Sequence, residues 1–446
     1  MRIGLLAALL CLPGSGSAWA SGWITGSPRT ERGPGVKVGK RSRFHPGFGL
    51  LVGYDSNVFR TRRAETITQA GFTTPALWAE IGNTPMRNGR LDSDPKLDGR
   101  NVDYNLTVGA DYRIYLTGDE RVRQAGKFNA QVDFHMVGRP GRKLSLLLDE
   151  EFRRRAEPQN FEAGADFNFN RLDHRGAVGL RARPGGGRLS LTFKFRNEFL
   201  YYESTRLDKG DRTVNGLFHE TKWRFRDRMA FLAQYQFDYY YHFCCTDVGD
   251  GRNEDSEQHR VYGGFSGQLG ERWVLQALGG WGWGLYKDDV NGPNHRNLLL
   301  ESGLSFFPKP QTEIALEVHR RFEDSLWGNY FSEWGGSFSA EHTFRFGMHI
   351  FGGVNVGRRR TSGLPVPGVE TQDITGYVDA GGFRRTDLLI GSQVRLEQAL
   401  GKIFTVGLRY DLWVDRTNFQ AIFADGNVDI GGYVRHMVSL MGAIRY

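Results

Sequence analysis

Apolar and polar residues alternate with a period of two through most of the chain. In Leu189–Tyr201, LSLTFKFRNEFLY, the residues Leu189, Leu191, Phe193, Phe195, Phe199 and Tyr201 share one face. Ser190, Thr192, Lys194, Arg196 and Glu198 share the other. Met229–Phe243 sets Met229, Phe231, Ala233, Tyr235, Phe237, Tyr239, Tyr241 and Phe243 against Gln234, Gln236, Asp238 and His242, and Phe404–Val414 repeats the design. Successive side chains of a strand point to opposite faces, so each segment carries one apolar and one charged face. A soluble β-sandwich alternates too, but its strands usually run about five or six residues. These run roughly ten or more, the length that crosses a bilayer at a tilt. Tyr, Trp and Phe cap their apolar faces, as in the girdles at the two membrane interfaces. The pattern predicts an all-β fold, a transmembrane antiparallel β-barrel with its apolar face to lipid and its polar face to the lumen.

The connections alternate as well. Short turns occur at Gly138–Arg142, Pro184–Gly187, Asp227–Arg228, Gly270–Arg272, Pro308–Pro310, His342–Phe344 and Gly401–Lys402. Between them lie polar loops at Glu157–Asn170, Arg206–Arg212, Thr246–Gln258, Lys287–Arg296, Ser362–Gly382 and Asn418–Gly431. Short periplasmic turns with longer extracellular loops are the outer-membrane arrangement. About fifteen strands are legible from Phe128 onward, preceded by Val102–Leu116 and Phe48–Arg60. A single-chain barrel closes with an even number. The missing strand is therefore sought within Thr61–Arg100, where Thr74–Ile81 (TPALWAEI) fits best. That gives about 18 strands, or 16 if an end segment stays outside the wall. Gly82–Arg100 is then a long periplasmic turn or a small inserted element.

Residues 1–20 hold one basic residue, an apolar run and Ala18-Trp19-Ala20, which reads as a Sec signal peptide cut after Ala20. Beyond it no apolar run reaches the length of a membrane helix. Residues 21–45, rich in Gly, Pro, Arg and Lys, read as a flexible periplasmic lead-in, and residues 46–446 as the barrel. In the final SLMGAIRY, Tyr446 is in phase with Ile444, Gly442, Leu440 and Val438, while Arg435, Ser439 and Arg445 point the other way. A terminal aromatic in that phase resembles the signal read by the outer-membrane assembly machinery.

Composition adds less. The net charge of +8 suggests anionic partners but says nothing of fold. Besides Cys11 there is only Cys244-Cys245, which is neither a disulfide framework nor a metal site. HExxH, CxxC and a mature-chain GxSxG are absent, so no enzyme, cofactor, metal site or nucleic-acid partner is implied. The loop Asp247–Glu257 lacks regular calcium-ligand spacing and reads as solvated. Gly280, Gly282 and Gly284 alternate with Trp281 and Trp283, which suggests small inward residues where space is tight. His319 beside Glu317 and Arg321 is the nearest approach to a catalytic set, and a wall-lining charge cluster explains it better.

The inward face is more informative. Alternation places Arg113, Arg153, Arg181, Arg196, Arg224, Arg321, Arg345, Arg395 and Arg409 along the lumen as the candidate solute path. Inward acids, among them Asp111, Asp133, Asp149, Glu151, Glu198 and Glu317, nearly balance the bases. A slight basic excess suits an anionic or hydroxyl-rich solute, since guanidinium binds carboxylate in a bidentate fork. The alternative, charges that solvate and stiffen a wide lumen, stands beside it.

The stretch Gly53-Tyr54-Asp55-Ser56-Asn57-Val58-Phe59-Arg60 resembles the opening signature of the β-barrel porin 2 family, a tyrosine followed by Asp-x-Asn and an aliphatic-aromatic pair. Asp55, Ser56 and Asn57 would sit where the first strand leaves the membrane, bonding the loop or the closing last strand. The family includes barrels similar to myxobacterial exopolysaccharide-secretion porins. The resemblance implies an outer-membrane exit pore for a secreted polysaccharide, working with periplasmic polysaccharide export and co-polymerase proteins. A diffusion porin for small hydrophilic or anionic solutes is the second reading.

Overall fold

The computed structural model describes residues 33–446 apart from 62–67, 85, 88–89, 92–100, 126, 158–168, 205–206, 244–254, 288–293, 327–328, 363–374, 378–384, 418–419, 423–427 and 431. Eighteen long strands form the wall. In chain order they are β1 Ser42–Asp55, β2 Ala70–Gly82, β3 Val102–Leu116, β4 Lys127–Gly138, β5 Leu144–Arg155 and β6 Arg171–Ala182. Then come β7 Leu189–Tyr202, β8 Arg212–Arg226, β9 Met229–His242, β10 Ser256–Leu269, β11 Trp273–Tyr286 and β12 His295–Lys309. The last six are β13 Thr312–Asp324, β14 Tyr330–Thr343, β15 Met348–Ser362, β16 Arg385–Leu400, β17 Phe404–Thr417 and β18 Tyr433–Arg445. Each pairs antiparallel with its neighbours, and β18 returns to β1, so the sheet closes on itself.

The strand sought within Thr61–Arg100 is β2, four residues longer at its start than the TPALWAEI segment. The connection after it carries a small ribbon, Met86–Arg87 paired with Arg90–Leu91, which matches the inserted element. The wall starts at Ser42, and Val36–Val38 pairs back onto Ser42–Phe44, so the chain is ordered in the sheet ahead of residue 46. The seven short turns fall at one end of the barrel. Gly270 (φ 69°) and Gly401 (φ 74°) supply the left-handed conformation that such tight reversals need. Cys244 and Cys245, most of the Asp247–Glu257 loop and residues 1–32, with the expected signal peptide, lie outside the described residues.

Large apolar side chains stand on the outer face around the whole circumference, with Phe193 55 %, Leu77 63 % and Leu440 64 % exposed. A water-soluble monomer does not carry so continuous an apolar surface, and lipid accommodates it. Aromatic rings mark both margins. Trp223, Phe225 and Phe231 stack near the short turns, and Phe199 stacks on Phe243 near the long loops. No helix among the described residues is long and apolar enough to cross a membrane.

The first and last strands are latched beyond their ladder. Asp55 receives a bidentate fork from Arg435, Nε to Oδ1 at 2.9 Å and Nη2 to Oδ2 at 2.5 Å, with both side chains fully buried. Ser56 exchanges two bonds with His436, its amide donating to the carbonyl at 3.0 Å and its Oγ accepting the His436 amide at 2.8 Å. Asn57 Nδ2 donates to the carbonyls of Val434 and Thr61. The polar triplet that ends the apolar strand is therefore the clasp of the barrel.

Candidate functional site: the lumen

Inside the barrel the two halves differ. On the seam side, the inner face of β1, β2 and β18 carries an apolar patch between the Asp55–Arg435 and Glu80–Arg445 ion pairs. Leu51, Phe72, Ala76, Met437 and Met441 form one cluster, joined by Val58 from the turn after β1 and Val122 from the five-residue helix α1, Glu120–Gln124. The expectation that the polar face lines the lumen is corrected over this patch, where a loop and a helix fold into the barrel and bring their own apolar contacts. Above this core the carboxylate of Glu157, just past β5, is held by Arg113 at 2.7 Å, Arg60 at 3.3 Å and Arg435 at 3.7 Å. Burial alone would raise that carboxyl. Attraction from Arg113, then Arg435, Lys127 and Arg60, outweighs it and holds the group well below the usual carboxylate range.

The opposite half is shaped by a split in the wall. The β12–β13 ladder ends at Leu300 opposite Arg320 toward the long-loop end. Beyond it, His295–Leu299 pairs only with β11, and Arg321–Asp324 only with β14. The tip of the β13–β14 hairpin leans into the lumen. Phe322, which alternation assigns to lipid, is 1 % exposed and packs with Leu232, Tyr262, Leu278 and Leu299. Its ring lies beneath Gly282 and Gly284, where an added Cβ would come within 2.5 and 3.2 Å of it. The tight space expected around GGWGWG is thus the seat of one phenylalanine. Arg260 stacks 4.6 Å over the same ring and donates to the Phe322 carbonyl at 3.2 Å. Asp324 then reaches Arg212 of β8 at 2.8 Å, and Leu326 packs where Gly210 of the β7–β8 loop leaves room. The tip bridges the mouth from β13 to β8.

Beneath that bridge lies a cavity of about 610 Å³. Its cations include Arg155, Arg175, Arg181, Lys194, Arg196, Arg212, Arg260 and Arg321. Facing them are Asp149, Glu150, Glu151, Asp173, Glu198, Glu220, Glu301, Glu317, Glu323 and Asp324. Carboxylates slightly outnumber the lysine and arginine side chains, so the slight basic excess read from alternation does not extend to this cavity. Most are paired: Arg196 meets Glu198 at 2.7 Å, Lys194 meets Asp149 at 2.7 Å, and Arg175 meets Glu198 at 3.7 Å. His319, Arg321 and Arg359 converge on Glu333 at 2.9, 3.0 and 2.8 Å, a wall-stiffening cluster.

Of the nine arginines placed on the lumen by sequence, Arg113, Arg153, Arg181, Arg196, Arg321, Arg395 and Arg409 do face inward from strands. Arg153 pairs with Asp133 and Glu151, Arg395 with Glu397, and Arg409 with Asp411. Only Arg181, Arg196 and Arg321 of the nine line the cavity. Arg224 is at the short-turn rim, exposed, and donates to the Gly187 carbonyl. Arg345 is exposed in the turn between β14 and β15, where the alternation that placed it inward has ended with the strand. Arg260, Arg212 and Arg175 were missed as path residues, although each lies in the inward phase of its strand. Arg60 stands outside any strand at φ 56°, so no periodicity reports it.

Fold and site define a transmembrane β-barrel with a charged, partly bridged lumen, the architecture of a channel. No family model and no curated protein matches the chain. The resemblance to the β-barrel porin 2 family therefore rests on the short stretch after Gly53. Among solved structures, the outer membrane protein OpdK of Pseudomonas aeruginosa is 12 % identical with a TM-score of 0.44, covering 90 % of this chain and 99 % of that one. A BenF-like porin of Pseudomonas fluorescens Pf-5 is 10 % identical at 0.46, covering 91 % and 99 %. A bacterial polysaccharide outer membrane secretin is 8 % identical at 0.34, covering 90 % and 98 %.

Proposed function

We propose that the chain is an outer-membrane channel through which small hydrophilic solutes diffuse, with the short turns in the periplasm and the long loops outside. The carrying observation is the bridged mouth above a cavity of about 610 Å³, within the range of small-molecule sites rather than that of an open polymer duct. Its balanced, mutually paired charges suit uncharged or zwitterionic polar solutes, which exchange weak hydrogen bonds with the wall and leave again. Liposome swelling tests this. Sugars and amino acids up to roughly disaccharide size should enter, and larger oligosaccharides should be excluded. Liposomes that admit none of these solutes would overturn it.

Export of a polysaccharide, partnered by periplasmic export and co-polymerase proteins, is the second reading, supported by the resemblance at Gly53–Arg60. It requires the β13–β14 tip to swing out of the lumen. Deleting the gene should then abolish surface polysaccharide, and an intact matrix rules it out. Both readings take the apolar outer band to lie in lipid, with Ile444 and Tyr446 presented on it for the assembly machinery.

A further inference from the structure

One sector of the outer face carries positive charge along the margin of the apolar band. A single register row runs through Arg320, Trp334, Arg358, Leu388 and Arg416, from β13 to β17, each residue the direct cross-strand partner of the next. The row faces outward, with Trp334 49 % and Leu388 38 % exposed. One step toward the short turns the same strands present Val318, Gly336, Val356, Ile390 and Val414. One step toward the long loops stands Arg360, between Ser332 and Thr386. Arg296 is exposed at the same end of β12, opposite Trp283. The guanidinium of Arg320 lies 4.8 Å over the Trp334 ring, and Arg358, Arg360 and Arg416 are exposed.

Other outward cations at this end of the barrel are neutralised within the chain. Arg154 forks onto Glu203 at 2.7 Å through both Nε and Nη2, and Lys287 meets Asp255 at 3.0 Å. Among the described residues, none of Arg296, Arg320, Arg358, Arg360 and Arg416 meets a carboxylate, and the outward positions of β14–β17 hold no acid.

Neighbouring strands lie ~4.8 Å apart, so Arg320 and Arg358, two strands apart, are separated by roughly 10 Å at the backbone. Like charges at that spacing repel unless an anion sits among them. Guanidinium takes phosphate in a bidentate fork, and a basic cluster where a membrane segment meets the headgroups is the usual footprint of anionic lipid. Trp334, Leu388 and the apolar row beneath them supply ground for acyl chains. We propose that this row binds the phosphate groups of an anionic lipid in the outer leaflet. The phosphates lie against Arg320, Arg358, Arg360 and Arg416, and the chains run down the wall over Val356 and Ile390. The inference rests on the long loops lying outside the cell.

The test is native mass spectrometry of the folded barrel in detergent, mixed with phosphorylated lipid A. The parent should retain the lipid at least tenfold more than a chain carrying Arg320→Gln, Arg358→Gln and Arg416→Gln. Arg142→Gln, Arg226→Gln and Arg272→Gln remove three exposed arginines at the short-turn end and should leave retention unchanged. Equal retention by the parent and the first variant overturns the proposal, as does an equal loss in both variants. Lipid A stripped of its phosphates should bind the parent at least tenfold less. Equal binding of the two lipids also overturns it, and this comparison decides alone should the first variant fail to fold. Displacement of the lipid by millimolar inorganic phosphate assigns the row to a free anion and overturns the lipid site. Labelling of Cys244 and Cys245, between β9 and β10, by an impermeant maleimide on intact cells reports separately which end faces out. A wrong orientation is thereby told apart from a missing lipid site.

Discussion

Replacing Phe322 by alanine removes the ring that seats the β13–β14 tip under Gly282 and Gly284. The ring is 1 % exposed, so truncation falls in the range of about 3–5 kcal/mol found for buried Phe→Ala changes. The lower end applies, because the tip is free to move rather than leave a rigid void. Loss of the Arg260 stack removes a further ~0.5–2 kcal/mol. The ion pair of Asp324 with Arg212 remains. A shift of about 3 kcal/mol is roughly a hundredfold in the ratio of open to bridged mouths. The eighteen-strand closure does not involve this residue, so heat-modifiability on gels should be unchanged. Single-channel recording in planar bilayers should show a larger mean conductance and fewer closures, and the swelling cut-off should move to larger sugars. A folded Phe322→Ala barrel with the parent's conductance and cut-off would refute the bridge as the constriction.

The clasp offers a stability test. Removing one partner of the buried Asp55–Arg435 pair, as in Asp55→Leu, should cost about 3 kcal/mol, the lower end of the range for a broken buried pair, because the guanidinium keeps only the more distant Glu157 at 3.7 Å; the urea midpoint should fall, and Asp55→Leu combined with Arg435→Leu should recover part of it. Asp211 gives a pH test: it accepts the Tyr202 amide in the loop beneath the tip, and burial pushes its carboxyl up from 3.8 to about 6. A carboxyl raised in the docked loop contributes fully below pH 3.8 and loses its contribution as pH rises through about 6. Docking should therefore weaken across that window, seen as rising conductance, and Asp211→Asn should flatten the profile.

Much of this molecule is local in origin. Period-2 alternation over long segments sets strand, face and membrane in one step, because a pleated strand in the wall has no other way to divide lipid from water. It found β7, β9 and β17, and parity alone pointed to β2. The last-strand phase placed Arg435 inward, and Asp55, Ser56 and Asn57 were legible as the end of a strand at the seam. What alternation cannot report is where a strand leaves the wall. Phe322 is in the lipid phase by sequence and in the lumen by structure, because the β12–β13 ladder stops at Leu300 and the tip finds a seat under glycines two strands away. Arg345 fails for the same reason at a strand's other end. Glu157, α1 and the apolar core beneath the seam depend on loops folding back into the barrel, a non-local contact with no period. The wall follows from the order of residues along the chain, whereas the shape of the passage follows from which loops enter it, and only tertiary packing decides that.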